Sequence, residues 1–136
     1  MEKQKPNTSG NGVEVIAAPG VPISHLPFSP ALRVGDLVFV SGQASVDSAG
    51  KIVSDSFEGE FRRSIENVRA VLRGAGLDLK HVVQVRSYVD DPADLPEYNA
   101  LYREYFSQPF PARTTLLKCL GGVLKYEIDV IAYAGK

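Results

Sequence analysis

Hydrophobic and polar positions change period several times along the chain, and the changes predict alternating strands and helices. Residues 13–18 read V-E-V-I-A-A and stop at Pro19-Gly20, which predicts a short strand. A proline-rich loop follows over 21–30. ALRV at 31–34 and LVFVSGQ at 37–43 then flank Gly35-Asp36, the pattern of two strands closed by a tight turn. The second strand is apolar on both faces until Ser41-Gly42, so it is expected to lie inside its sheet.

The period then lengthens. Phe57, Phe61, Ile65, Val68 and Leu72 recur every three or four residues, one buried stripe of an amphipathic helix. Asp55 is placed to cap it, with Glu58 three residues on completing a capping box; Gly76 followed by Leu77 supplies the stop. HVVQVRSYV at 81–89 is rich in β-branched residues and predicts a strand. A second helix is expected from Asp94, with Glu97 three residues later and Pro96 tolerated in the first turn. Leu95, Tyr98, Tyr102, Tyr105 and Phe106 line one face of it, and QPFP at 108–111 ends it. RTTLLKCL at 113–120, Gly121-Gly122 and KYEIDVIAY at 125–133 predict a terminal hairpin. The order is β-β-β-α-β-α-β-β, an α+β fold with a single mixed sheet. Two helices can cover one face of it. The other face is expected to carry small apolar residues, too dry to leave in water, which predicts burial against other subunits.

Length narrows this to one domain over 13–136, preceded by a flexible tail over 1–12. No apolar run approaches the roughly 18 residues of a membrane span, and the first residues lack the apolar segment of a secretory signal. A net charge of -1 offers no electrostatic footprint for nucleic acid or an anionic membrane. The single cysteine, Cys119, excludes an intrachain disulfide and suits a reducing, cytoplasmic setting.

Candidate chemistry is sparse. His25, His81 and Cys119 are scattered without metal-ligand spacing, Gly74-Ala75-Gly76 sits at a helix end where a phosphate loop would follow a strand, and no nucleophile elbow is present. Cys119 falls among apolar residues and reads as an inert core thiol. Arg113 opens a strand after Phe110-Pro111-Ala112, and its planar fork can grip both oxygens of a carboxylate. Glu127 lies in the expected partner strand, where it could hold a water or move a proton. Ser41 and Gly42 end a buried strand, where a ligand can come close to the backbone. On these residues alone, Arg113 and Glu127 read first as a salt-bridged sheet pair.

LVFVSGQ at 37–43, NVRAVL at 67–72 with AGL at 75–77, VVQVRSYV at 82–89, YN at 98–99 with YF at 105–106, PFPARTT at 109–115 and YEID at 126–129 occur in order. This series resembles the landmarks of the YjgF/RidA family, over nearly the whole of 13–134. The resemblance implies a chorismate-mutase-like fold assembled as a homotrimer, with clefts between subunits. It further implies hydrolysis of reactive 2-imino acids or their enamine tautomers to 2-keto acids and ammonia. By position, Arg113 matches the arginine that grips the substrate carboxylate, and Glu127 the acid beside the attacking water. Ser41 and Gly42 match the strand end lining the cleft and Asn99 a polar neighbour, while Thr115 falls where members vary. No cofactor is implied, because an iminium carbon is already electrophilic.

Two positions depart from the family pattern. Archetypal members carry G-P-Y-[SV]-Q in the first loop; here it reads LPFSP at 26–30, so Phe28 lacks the hydroxyl and Pro30 replaces the amide. Phe28 reads either as a cleft wall or as a core aromatic. The leucine-proline usual before the last strand is Leu120-Gly121-Gly122. Two other readings share these residues: a deaminase for an aminated ring-cleavage product such as an aminomuconate, and a non-catalytic trimeric binder of small carboxylates. A ribonuclease role has also been attached to the family, and the acidic balance of this chain gives it little support.

Overall fold

The computed structural model describes residues 11–17, 19–20 and 24–135, so the expected tail lies almost wholly outside the described residues. The strands are β1 (Val13–Val15), β2 (Ala31–Val34), β3 (Leu37–Ala44), β4 (Val82–Val89), β5 (Ala112–Leu117) and β6 (Tyr126–Tyr133). Helix α1 (Phe57–Gly74) follows β3, and α2 (Leu95–Tyr105) follows β4. All six strands form one sheet in the order β1-β2-β3-β6-β4-β5, antiparallel except where β4 meets β5 in parallel. The predicted element order is observed.

Both helices lie on one face of the sheet. The α1 stripe Phe57, Phe61, Ile65, Val68 and Leu72 is buried against alternate residues of the central strands, among them Val38, Val40, Val85, Tyr126, Ile128 and Val130. Phe61, Tyr98 and Tyr126 meet at its centre, with ring centroids 4.6 Å apart for Phe61–Tyr126 and 5.8 Å for Tyr98–Tyr126. Because side chains alternate along a strand, the next residues of β6, beginning with Glu127 and Asp129, project to the face without helices.

Helix starts differ from the sequence reading in detail. Ser56, rather than Asp55, caps α1 and accepts from the Gly59 amide at 3.0 Å, while Asp55 pairs with Arg63. The acid that reaches back is Glu60, which accepts from the Asp55 amide; Glu58 instead pairs with Arg62. Glu60 is fully buried and also accepts from the Lys125 backbone and ammonium, so it ties the helix start to the head of β6. Asp94 makes no capping bond. A 3-10 turn over Pro92–Asp94 precedes α2, capped by Asp91.

The terminal hairpin is not formed. β5 pairs only with β4, and β4 separates it from β6. The chain between them must cross the end of β4, and Asp90 organises the crossing: its carboxylate accepts from the amides of Leu120 and Gly122. Gly121 and Gly122 adopt positive φ there, as a tight reversal demands. The crossing also removes Cys119 from the core; it is an exposed thiol beyond the end of β5.

Candidate active site

The residues singled out in the sequence fall into two groups on opposite faces of the sheet. On the face without helices, Phe28, Phe39, Ser41, Gly42, Gln84, Arg86, Glu127 and Asp129 line a cleft of about 590 Å³. Glu127 sits opposite Ala44 of β3 and Tyr88 of β4. The β3–β6 register shifts between Val40 and Gln43, which brings Gly42 up against Glu127. A Cβ built on Gly42 would stand 2.6 Å from Glu127 Oε2, so the glycine makes room for the carboxylate as well as for any ligand. Ser41 donates its hydroxyl to the Ser29 carbonyl, and its amide bonds the Pro30 carbonyl at 2.9 Å. Its first task is therefore to hold the loop that carries Phe28. Phe28 is half exposed at the cleft wall, not a core aromatic.

Charge in this cleft is unevenly distributed. Asp129 accepts from Arg86 Nε at 2.8 Å and from the Tyr88 hydroxyl at 2.6 Å. Glu127 has no hydrogen-bond or ion-pair partner among the described residues. Burial, followed by the charge of Asp129, raises the Glu127 pKa. Tyr88 is pushed up to about 12 by burial and by its bond to Asp129, so it stays a donor at neutral pH. The bond to Asp129 likewise raises Arg86 and keeps it cationic.

Arg113 lies on the other face. It pairs in register with Val85, whose side chain is in the core, and so projects toward α2. There its guanidinium stacks over two tyrosine rings, 4.9 Å from the Tyr98 centroid and 4.8 Å from that of Tyr102. Thr115, one pleat along, shares a 3.1 Å hydrogen bond with the Tyr98 hydroxyl and steadies that ring. Asn99, Tyr102, Arg103, Phe110, Pro111 and Arg113 border a pocket of about 250 Å³. No carboxylate pairs with Arg113 among the described residues, so the salt-bridged sheet pair with Glu127 is not formed.

Sequence reading missed Arg86 and Asp129 as cleft residues, Tyr88 as a donor to Asp129, and the two tyrosines as the seat of Arg113. The signal was present as spacing by two: Gln84, Arg86 and Tyr88 on one strand, Glu127 and Asp129 on the other. The uncovered face also differs from the expected cover of small apolar residues, since Arg86, Glu127 and Asp129 lie on it. Large side chains also stay exposed on β3 and β6, Phe39 at the cleft and Leu37 and Tyr133 farther along.

Together these features define a class: a small α+β protein whose open sheet face carries an unpaired glutamate in a cleft, with a seated arginine at the sheet edge. The family model described as "Endoribonuclease L-PSP" matches residues 20–134. A RutC family protein of Pyrococcus abyssi is 37% identical over 88% of this chain and 96% of its own length. A protein of Dermatophagoides farinae named 2-iminobutanoate/2-iminopropanoate deaminase is 31% identical over 75% of this chain and 80% of its own. The crystal structure of the yjgF gene product of E. coli superposes with a TM-score of 0.79 at 29% identity, covering 89% of this chain and 98% of that one. The chain belongs to the YjgF/RidA family.

Proposed function

We propose that the protein hydrolyses 2-imino acids and their enamine tautomers to 2-keto acids and ammonia, in a site shared between neighbouring copies of a homotrimer. One observation carries the reading. Glu127 and Arg113 are each left without an ionic partner among the described residues, on opposite faces of one sheet. A single copy cannot aim both at one small molecule, whereas the Arg113 edge of one copy laid over the Glu127 cleft of the next can. The name of the Dermatophagoides relative supports the same reaction.

The chemistry follows from the groups present. Arg113 grips the substrate carboxylate through its fork. Water adds to the C=N carbon and gives a proton to Glu127, which passes it to the nitrogen. The resulting carbinolamine passes its hydroxyl proton through Glu127 to the nitrogen and expels ammonia, so imine and water become ketone and ammonia with no redox step. For an enamine, Glu127 first protonates the β-carbon, giving the same iminium. A glutamate with a raised pKa suits both directions of transfer.

The test generates 2-iminopropanoate in situ from alanine with an amino-acid oxidase and follows keto-acid release. Wild type should exceed the uncatalysed rate, and Arg113→Ala should fall back to it. No acceleration by wild type with any imino acid tried would end the reading.

A further inference from the structure

Glu127 and Asp129 stand two residues apart on one face of β6, roughly 6–7 Å apart along the strand, yet their surroundings differ. Asp129 holds a guanidinium on one oxygen and a phenol on the other. Glu127 has neither and sits against Gly42. Two neighbouring acids in unlike settings divide their roles: the bonded one keeps the charge, and the unbonded one takes up the proton.

The groups facing Glu127 can be named strand by strand. Residues 37–44 of β3 include no ionisable side chain. From β4 come only Arg86 and Tyr88, both engaged with Asp129. On β6 Asp129 shares the face, while Tyr126 is buried beneath the helices. The loop carrying Phe28 also carries His25, which does not line the cleft. On the reading above, Arg113 of a neighbouring copy adds a cation that the substrate carboxylate neutralises. Asp129 is thus the one anion acting on Glu127 among the described residues of these elements.

We propose that Asp129 is a positioning residue: pinned as an anion by Arg86 and Tyr88, it makes Glu127 the member of the pair that takes up and releases the proton. This rests on the imine-hydrolase reading for its use, although not for its measurement. Tyr88 and Arg86 belong to the same device, each donating to one oxygen of the anion and together fixing its place.

The experiment is a carbon-13 titration of side-chain carboxyl signals in the intact protein, with Glu127→Gln assigning the Glu127 resonance. Wild type should show Glu127 titrating above an ordinary glutamate. Asp129→Asn should lower that midpoint by about one pH unit and Asp129→Glu should restore it. The low-pH limb of imine hydrolysis should move with it. Arg86→Gln should shift the midpoint upward, which gives a second route if Asp129→Asn fails to fold. A Glu127 midpoint unmoved in folded Asp129→Asn, or Asp129 titrating as the higher member, would overturn the proposal. If the midpoint moves as expected while no imine is hydrolysed, the functional reading fails and the pair assignment stands. If imine is hydrolysed while the midpoint stays unmoved, the pair assignment fails and the functional reading stands.

Discussion

Arg113 and Glu127 project from opposite faces of one sheet, on strands that β4 keeps apart. Arg113 lies over Tyr98 and Tyr102, and Glu127 against Gly42. The stacking sets the plane of the guanidinium, which matters for a two-oxygen grip. Arg113→Lys keeps the charge but loses both plane and fork. It should raise KM for an imino acid roughly 10–100-fold with a smaller change in kcat, as steady-state kinetics would show.

Gly42→Ala places a methyl carbon 2.6 Å from Glu127 Oε2, closer than contact allows. The carboxylate has to rotate away from Gly42, so kcat/KM should fall by roughly 10²-fold, the usual effect of displacing a group by about 1 Å. Thermal unfolding should change little, because the side chain can swing toward the open cleft. A large loss of Tm with activity retained would contradict the geometry.

Glu60 offers a contrast in stability rather than activity. Fully buried, it accepts from the Asp55 amide, the Lys125 amide and the Lys125 ammonium. Removing its carboxylate strands these donors at the junction of α1 and β6. Glu60→Ala should cost about 3 kcal/mol in urea unfolding.

Glu127 also leaves a signature in stability against pH. Its folded pKa is raised, by burial first and Asp129 second, so the folded chain keeps the proton at pH values where the unfolded chain has lost it. Stability therefore falls as pH rises through that window and is unaffected below the unfolded value. Glu127→Gln, which does not titrate, should match wild-type Tm near about pH 4 and exceed it at neutral pH. Thermal scans across that range check the sign.

The α1 stripe was legible because five apolar residues recur at helical spacing, and all five are buried. The β2–β3 hairpin was legible because Gly35-Asp36 reverses the chain locally. The pairing of β5 was not. Its partner, β4, precedes a whole helix, and nothing local to 112–126 signals that Asp90 will organise the crossing. Glu127 and Arg113 were identifiable as chemistry-bearing residues, but their opposite facing depends on that same long-range pairing. Asp129 was hidden for a simpler reason: an acid beside an acid reads as solvated surface until its partners on β4 are known.

The most direct measurement mixes two crippled chains. Arg113→Ala retains a sound Glu127 cleft, and Glu127→Gln retains a sound arginine edge. Co-expressed with different tags and purified as mixed assemblies, they should recover about a third of wild-type imine hydrolysis, because each mixed trimer has one interface in three with both sound groups. Each variant alone should be inactive. If mixed assemblies form and stay as inactive as either parent, Arg113 and Glu127 do not meet across copies, and the shared site is wrong.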